Sequence, residues 1–100
     1  MIITRWQAPI VPTKQQVHMI LESEGLEPFD EVCAAHTKIQ DKRHPFAEVR
    51  VVIEGEMIFN ISGNQFALRP GDRLEIPANT KHSYAAHGPN GCISVCAKTI

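Results

Sequence analysis

The sequence predicts an all-β sandwich or barrel with one short α-helix near its N-terminus. From Phe29 onward apolar and polar residues alternate with a period of two, as half-buried strands require. The alternating segments are short and separated by clusters of turn residues, the pattern of many strands wound into one layered or closed structure. Ahead of them, one stretch after Pro12 has helical spacing. At 100 residues the chain can hold one hydrophobic core and is short for two. Residues 1–100 are therefore read as one domain, a strand-and-helix extension over 1–27 followed by the barrel over 28–100.

Ile2 to Trp6 reads as a short strand, ended by Pro9 and Pro12. Thr13-Lys-Gln-Gln16 has the form of a capping box, Val17, Ile20 and Leu21 follow at helical spacing, and Gly25 suits the C-terminal cap. This helix is expected to lay Val17, Ile20 and Leu21 on the outside of a sheet, with His18 at the surface. In the barrel, Glu48, Arg50 and Val52 alternate with Val49, Val51 and Ile53. Met57, Phe59 and Ile61 form the next row, and Phe66, Leu68, Leu74 and Ile76 continue it. Ser62-Gly63-Asn64, Arg69-Pro70-Gly71-Asp72, Pro77 to Thr80 and Gly88 to Gly91 supply the turns.

The charge balance, 10 basic against 11 acidic residues with no run of either sign, gives neither a nucleic-acid footprint nor a membrane-attracting patch. The N-terminal residues lack a long apolar run after a basic start, and no stretch has the length to span a bilayer, so the expected location is the cytosol. Cys33, Cys92 and Cys96 lack Cys-x-x-Cys spacing and read as buried structural thiols, the last two sharing one strand face with Ser94.

Chemistry concentrates in His44-Pro-Phe-Ala-Glu48 and at His82. Along an extended strand His44 and Glu48 would stand ~13 Å apart, too far to share an ion. Pro45 instead suggests a turn at Pro45-Phe46, with Glu48 opening a returning strand directly opposed to the one that carries His44. His82, after the Pro77 turn, closes the set. Two imidazoles and one carboxylate with open positions suit Fe(II), Mn(II), Ni(II) or Zn(II). If Glu48 points inward, so does Arg50, a candidate anchor for an anionic ligand that can equally form a buried salt bridge with Glu48. Tyr84 shares the direction of His82 and is expected to wall the pocket. The outward row of Val49, Val51 and Ile53 needs a cover, from the helix or from a second subunit, and a homodimer is expected.

The stretch from His36 to Ala86 resembles the two motifs of the cupin superfamily. In the first, Gly, five residues, His-x-His, three or four residues, Glu, six residues and Gly, the second His, the Glu and the last Gly fall on His44, Glu48 and Gly55. In the second, Gly, five residues, Pro-x-Gly, two residues, His, three residues and Asn, Gly71, Pro77 and His82 match. His36 stands for the opening Gly, Lys42 for the first His, Asn79 for the second-motif Gly and Ala86 for the closing Asn. The Asn79 change is mild, because Asn tolerates a left-handed backbone.

The resemblance implies a double-stranded β-helix (cupin or jelly-roll) barrel, usually dimeric, with a divalent metal at its mouth. Lys42 sets up the two functional expectations. In one, His44, Glu48 and His82 hold a divalent transition metal beside a small-molecule ligand, and any reaction is that of a metal-dependent oxygenase or of an isomerase or lyase. In the other, Lys42, Glu48 and Arg50 form a metal-free pocket that binds an anionic ligand without chemistry, in a regulatory or structural barrel. No catalytic residue is singled out.

Overall fold

The computed structural model describes residues 1–99, apart from the side chain of Asp41. The described residues form β1 (Ile2–Thr4), α1 (Lys14–Ser23), β2 (Phe29–Cys33), β3 (Lys38–Lys42), β4 (Ala47–Glu54), β5 (Glu56–Ile61), β6 (Asn64–Leu68), β7 (Arg73–Ile76), β8 (His82–His87) and β9 (Cys92–Thr99). A five-stranded sheet in the order β1-β7-β4-β9-β2 faces a four-stranded sheet in the order β3-β8-β5-β6, and all pairings are antiparallel. This is the mostly β, two-sheet architecture the alternation called for, with β1 of the N-terminal segment woven in beside β7.

The alternation sorts side chains as expected. Val52, Met57, Phe59, Ile61, Leu68, Leu74, Ile76 and Tyr84 point between the sheets and form the inner core. Val49, Val51, Val95 and Ala97 point outward and are buried under Val17 and Leu21 of α1, with Leu26 and Ile53 at the margin. The helix thus supplies the cover that the outward valine row required, and the row gives no separate reason for a second subunit. Burying Leu21 completely is worth about 2 kcal/mol. Ile20 departs from the expected helix face. Val17 and Leu21, one turn apart, meet the sheet, which rotates Ile20 to the edge, where it is 45% exposed beside Trp6.

The helix boundaries follow from local chemistry. Gln16 N–H donates to Thr13 Oγ1 at 3.1 Å and Thr13 N–H donates to Gln16 Oε1 at 2.8 Å, the reciprocal capping box. At the other end Gly25 takes φ 84°, and Leu26 N–H returns to the Leu21 carbonyl. One glycine has a packing reason as well. Gly55, at φ 78° between β4 and β5, lies against the Gly91 carbonyl so closely that a Cβ would collide with it. Among the described residues no helix is long and apolar enough to cross a membrane.

Candidate metal centre

Glu48 is buried on β4, where its register partners are Ile76 and Lys98. His82 opens β8 and is 2% exposed. His44 is carried by the segment 43–46 between β3 and β4. Those two strands belong to different sheets and do not pair, so His44 and Glu48 are not cross-strand partners, contrary to the expected hairpin. The proline-containing segment instead crosses from one sheet to the other. Its position is held by Asn79, whose N–H donates to the His44 carbonyl at 2.6 Å. Asn79 has φ 61°, the left-handed conformation expected of it, and His36, where the motif has Gly, has φ 63°.

The result is convergence: one ligand atom from each of His44, Glu48 and His82 lies within 4.8 Å of the others. Donors about 2.1 Å from one ion can be at most ~4.2 Å apart, so the set is close to coordination distance and needs only side-chain adjustment. The His44 ring stacks on Phe46 at 4.8 Å and meets His82 edge-on at 5.4 Å.

His82 provides the test of fit. Its Nδ1 lies 2.9 Å from the Thr80 carbonyl, which can only accept, so Nδ1 carries the hydrogen and Nε2 keeps a lone pair. That Nε2 is buried and, among the described residues, has no hydrogen-bond partner. A buried nitrogen left this way is costly unless something occupies its lone pair, and fixing one imidazole nitrogen through a carbonyl is how proteins orient a metal-binding histidine. The three residues therefore fit a divalent transition metal.

Beneath them lies a charged network centred on Arg50, which is 2% exposed. Its Nη1 donates to Glu31 Oε1 and Ser94 Oγ, both at 2.8 Å. Nη2 reaches Glu31 Oε2 at 3.4 Å and Glu48 Oε2 at 3.5 Å, and Nε reaches Glu48 Oε2 at 3.4 Å. All five guanidinium N–H groups are thereby directed at protein acceptors, and the cation stacks over Tyr84 at 4.6 Å. Arg50 is inward and deep as expected, joined to Glu48, and engaged with the protein. One Glu48 oxygen, Oε1, is outside this network.

Glu31 was not singled out by the sequence. Burial alone would raise its carboxyl, but hydrogen bonds from Arg50 and Tyr84 and the Arg50 charge hold it below the usual carboxylate range. Tyr84 donates to it at 2.8 Å and packs on Phe59. Burial first, and the neighbouring carboxylate next to it, raise the Cys33 thiol, and burial pushes Cys92 up to about 12 and Cys96 to about 11. These are inert structural thiols.

Lys42 reaches the inner face through a bulge. Ile39 pairs with Tyr84, but Lys42 pairs with His82, so β3 carries one extra residue between them. Without it, Lys42 would face away from Tyr84. With it, Lys42 Nζ stands 5.8 Å from the Tyr84 ring centroid, and it makes no ion pair with Glu48.

Comparison with known proteins agrees with this fold. The family described as Cupin domain matches residues 30–97. The chain is a cupin. A 48-residue part of it, 47% of the chain, is 42% identical to the quercetin 2,3-dioxygenase of Bacillus subtilis, and spans 14% of that protein. Among solved structures, the DMSP lyase DddQ of Ruegeria pomeroyi superposes with a TM-score of 0.68 at 20% identity, over 75% of this cupin and 38% of the lyase. The cupin domain of an XRE family transcriptional regulator from Enterobacter cloacae superposes with a TM-score of 0.67 at 18% identity, over 79% and 85%. At such identities these structures establish the fold alone.

Proposed function

We propose that this cupin holds a divalent transition metal, Fe, Mn, Ni or Zn, on His44, Glu48 and His82 and binds a small molecule beside it. The observation that carries the reading is the buried, unpartnered Nε2 of His82, its tautomer set by Thr80, in a cluster with His44 and Glu48. A bound ion supplies Lewis acidity and open positions for a ligand, the setting of a metal-dependent oxygenase or of an isomerase or lyase. That a dioxygenase and a lyase share sequence or fold with the chain supports this range. The chain's own part is positional. Phe46 stacks on the His44 ring and Asn79 holds its backbone carbonyl, Arg50 steadies Glu48 through one oxygen, and Tyr84 and Phe59 close the floor.

A second reading rests on Lys42, which occupies the inner face opposite His82 where the family motif has a histidine. In it the barrel is a metal-free binding or regulatory module for an anion, as its likeness in fold to a regulator's domain allows. Elemental analysis of tag-free protein separates the two. Near-stoichiometric metal in the wild type, lost in His82→Ala, is expected. An empty wild type beside a metal-loaded Lys42→His variant would sink the first reading in favour of the second.

A further inference from the structure

Each of the two strand-borne members of the cluster has a lysine as one cross-strand neighbour. His82 on β8 is opposed by Lys42 on β3, and Glu48 on β4 is opposed by Lys98 on β9. Directly opposed side chains share a face and stand about 4.5–5.5 Å apart at Cβ, so each lysine rises beside a candidate metal donor. Lys98 also follows from alternation, since its neighbour Ala97 is buried outward under α1. Each ammonium lies over an aromatic ring, Lys98 at 4.8 Å from Phe46 and Lys42 at 5.8 Å from Tyr84. Among the described residues neither forms an ion pair, whereas Arg5, Lys14, Arg50 and Arg73 all do.

Arg50 sits between Glu31 and Glu48 and leaves one negative charge over, which together with Glu27 in the groove beside Lys98 balances the two lysines, so a divalent ion would make the site positive. Both lysines are solvent-exposed, so water screens their charges and leaves them open to pair with an incoming anion. Lys98 further lines an open groove of about 540 Å³ with Phe29, Phe46 and Glu27, and Phe46 is the ring stacked on His44. The groove has apolar, flat walls beside Lys98 and meets the cluster across the Phe46 ring. Glu27 at its rim disfavours a second anionic group there.

We infer that the ligand of this cupin is a small organic carboxylate with a flat apolar body, its carboxylate held between Lys42 and Lys98 and its body lying on Phe46 and Phe29. This deepens the metal reading and rests on the same cluster, but it moves the anion-binding role from the engaged Arg50 to Lys98.

Benzoate titrated calorimetrically into the protein at low ionic strength tests it, with benzamide as the neutral isostere and metal content measured on the same samples. Benzoate is expected to bind about tenfold tighter than benzamide. Lys42→Gln and Lys98→Gln are each expected to weaken benzoate about 3- to 5-fold, and together ~10- to 25-fold, without lowering metal content or changing benzamide binding. Added salt should erase most of the difference. Equal affinity for the two probes, undetectable benzoate binding, or benzoate binding indifferent to both lysines overturns the inference. Lysine-dependent benzoate binding by protein free of metal would uphold it while removing the metal reading.

Discussion

Arg50 is the residue on which the interior of this barrel depends. Burial works against its charge, its ion pairs with Glu31 and Glu48 favour it, and a guanidinium so paired stays protonated throughout the accessible pH range. Removing it strands two carboxylates, one buried and one half-buried. Arg50→Met should therefore cost about 3 kcal/mol by urea denaturation at neutral pH. Adding Glu31→Gln to that variant should recover part of the loss, because one stranded charge is gone. A double variant no more stable than the single one would mean that volume, not charge, makes Arg50 necessary. The site was unevenly legible at this scale. His44, Glu48 and His82 were readable because proline-bounded segments and motif spacing mark them. Glu31 was not, because it lies on a strand whose place became known only through its register opposite Ser94 on β9.

Between elements, one carboxylate reinforces the β1–β7 pairing and the α1 packing that tie the N-terminal arm to the barrel. Asp72, 5% exposed in the turn before β7, accepts the backbone N–H groups of Trp6 and Arg69, both at 3.0 Å, and Arg5 Nη1 at 2.8 Å. Burial raises its carboxyl, and these donors together outweigh burial, so its pKa is depressed in the folded state. A depressed carboxylate contributes its full stability above its unfolded pKa, near 3.9, and loses it as pH falls through the folded value. Asp72→Ala should thus cost about 2 kcal/mol at pH 7, and the gap to wild type should close progressively below about pH 4. A gap that stays constant down to pH 2.5 would show that ionisation of Asp72 does not reinforce the arm. Periodicity gave the strands, the capping box and the inner and outer faces, because each is written in neighbouring residues. It did not give strand partners. The crossing of His44 between sheets and the bulge that turns Lys42 inward both depend on pairings that local sequence does not encode.

At the scale of the whole molecule, the candidate centre exists only when the barrel is closed. Its donors come from the 43–46 segment, from β4 in one sheet and from β8 in the other, and the network beneath them adds β2 and β9. An unfolded chain brings none of these together, so a metal that binds here binds the native state and stabilises it by mass action. At a free metal concentration about 100 times Kd the gain is ~2.7 kcal/mol. For a domain of this size that corresponds to a rise in Tm of roughly 10–20 °C. Protein stripped with a chelator and reloaded with Mn(II) should show that rise in a thermal scan. His82→Ala, which removes a donor but leaves β8 paired with β3 and β5, should show almost none. Mn(II) engages the cysteines and histidines of unfolded chains weakly, so the comparison reports on the assembled site. An equal rise in the His82→Ala protein would place the ion elsewhere, and no rise in the wild type would leave the barrel to Lys42, Lys98 and an anion.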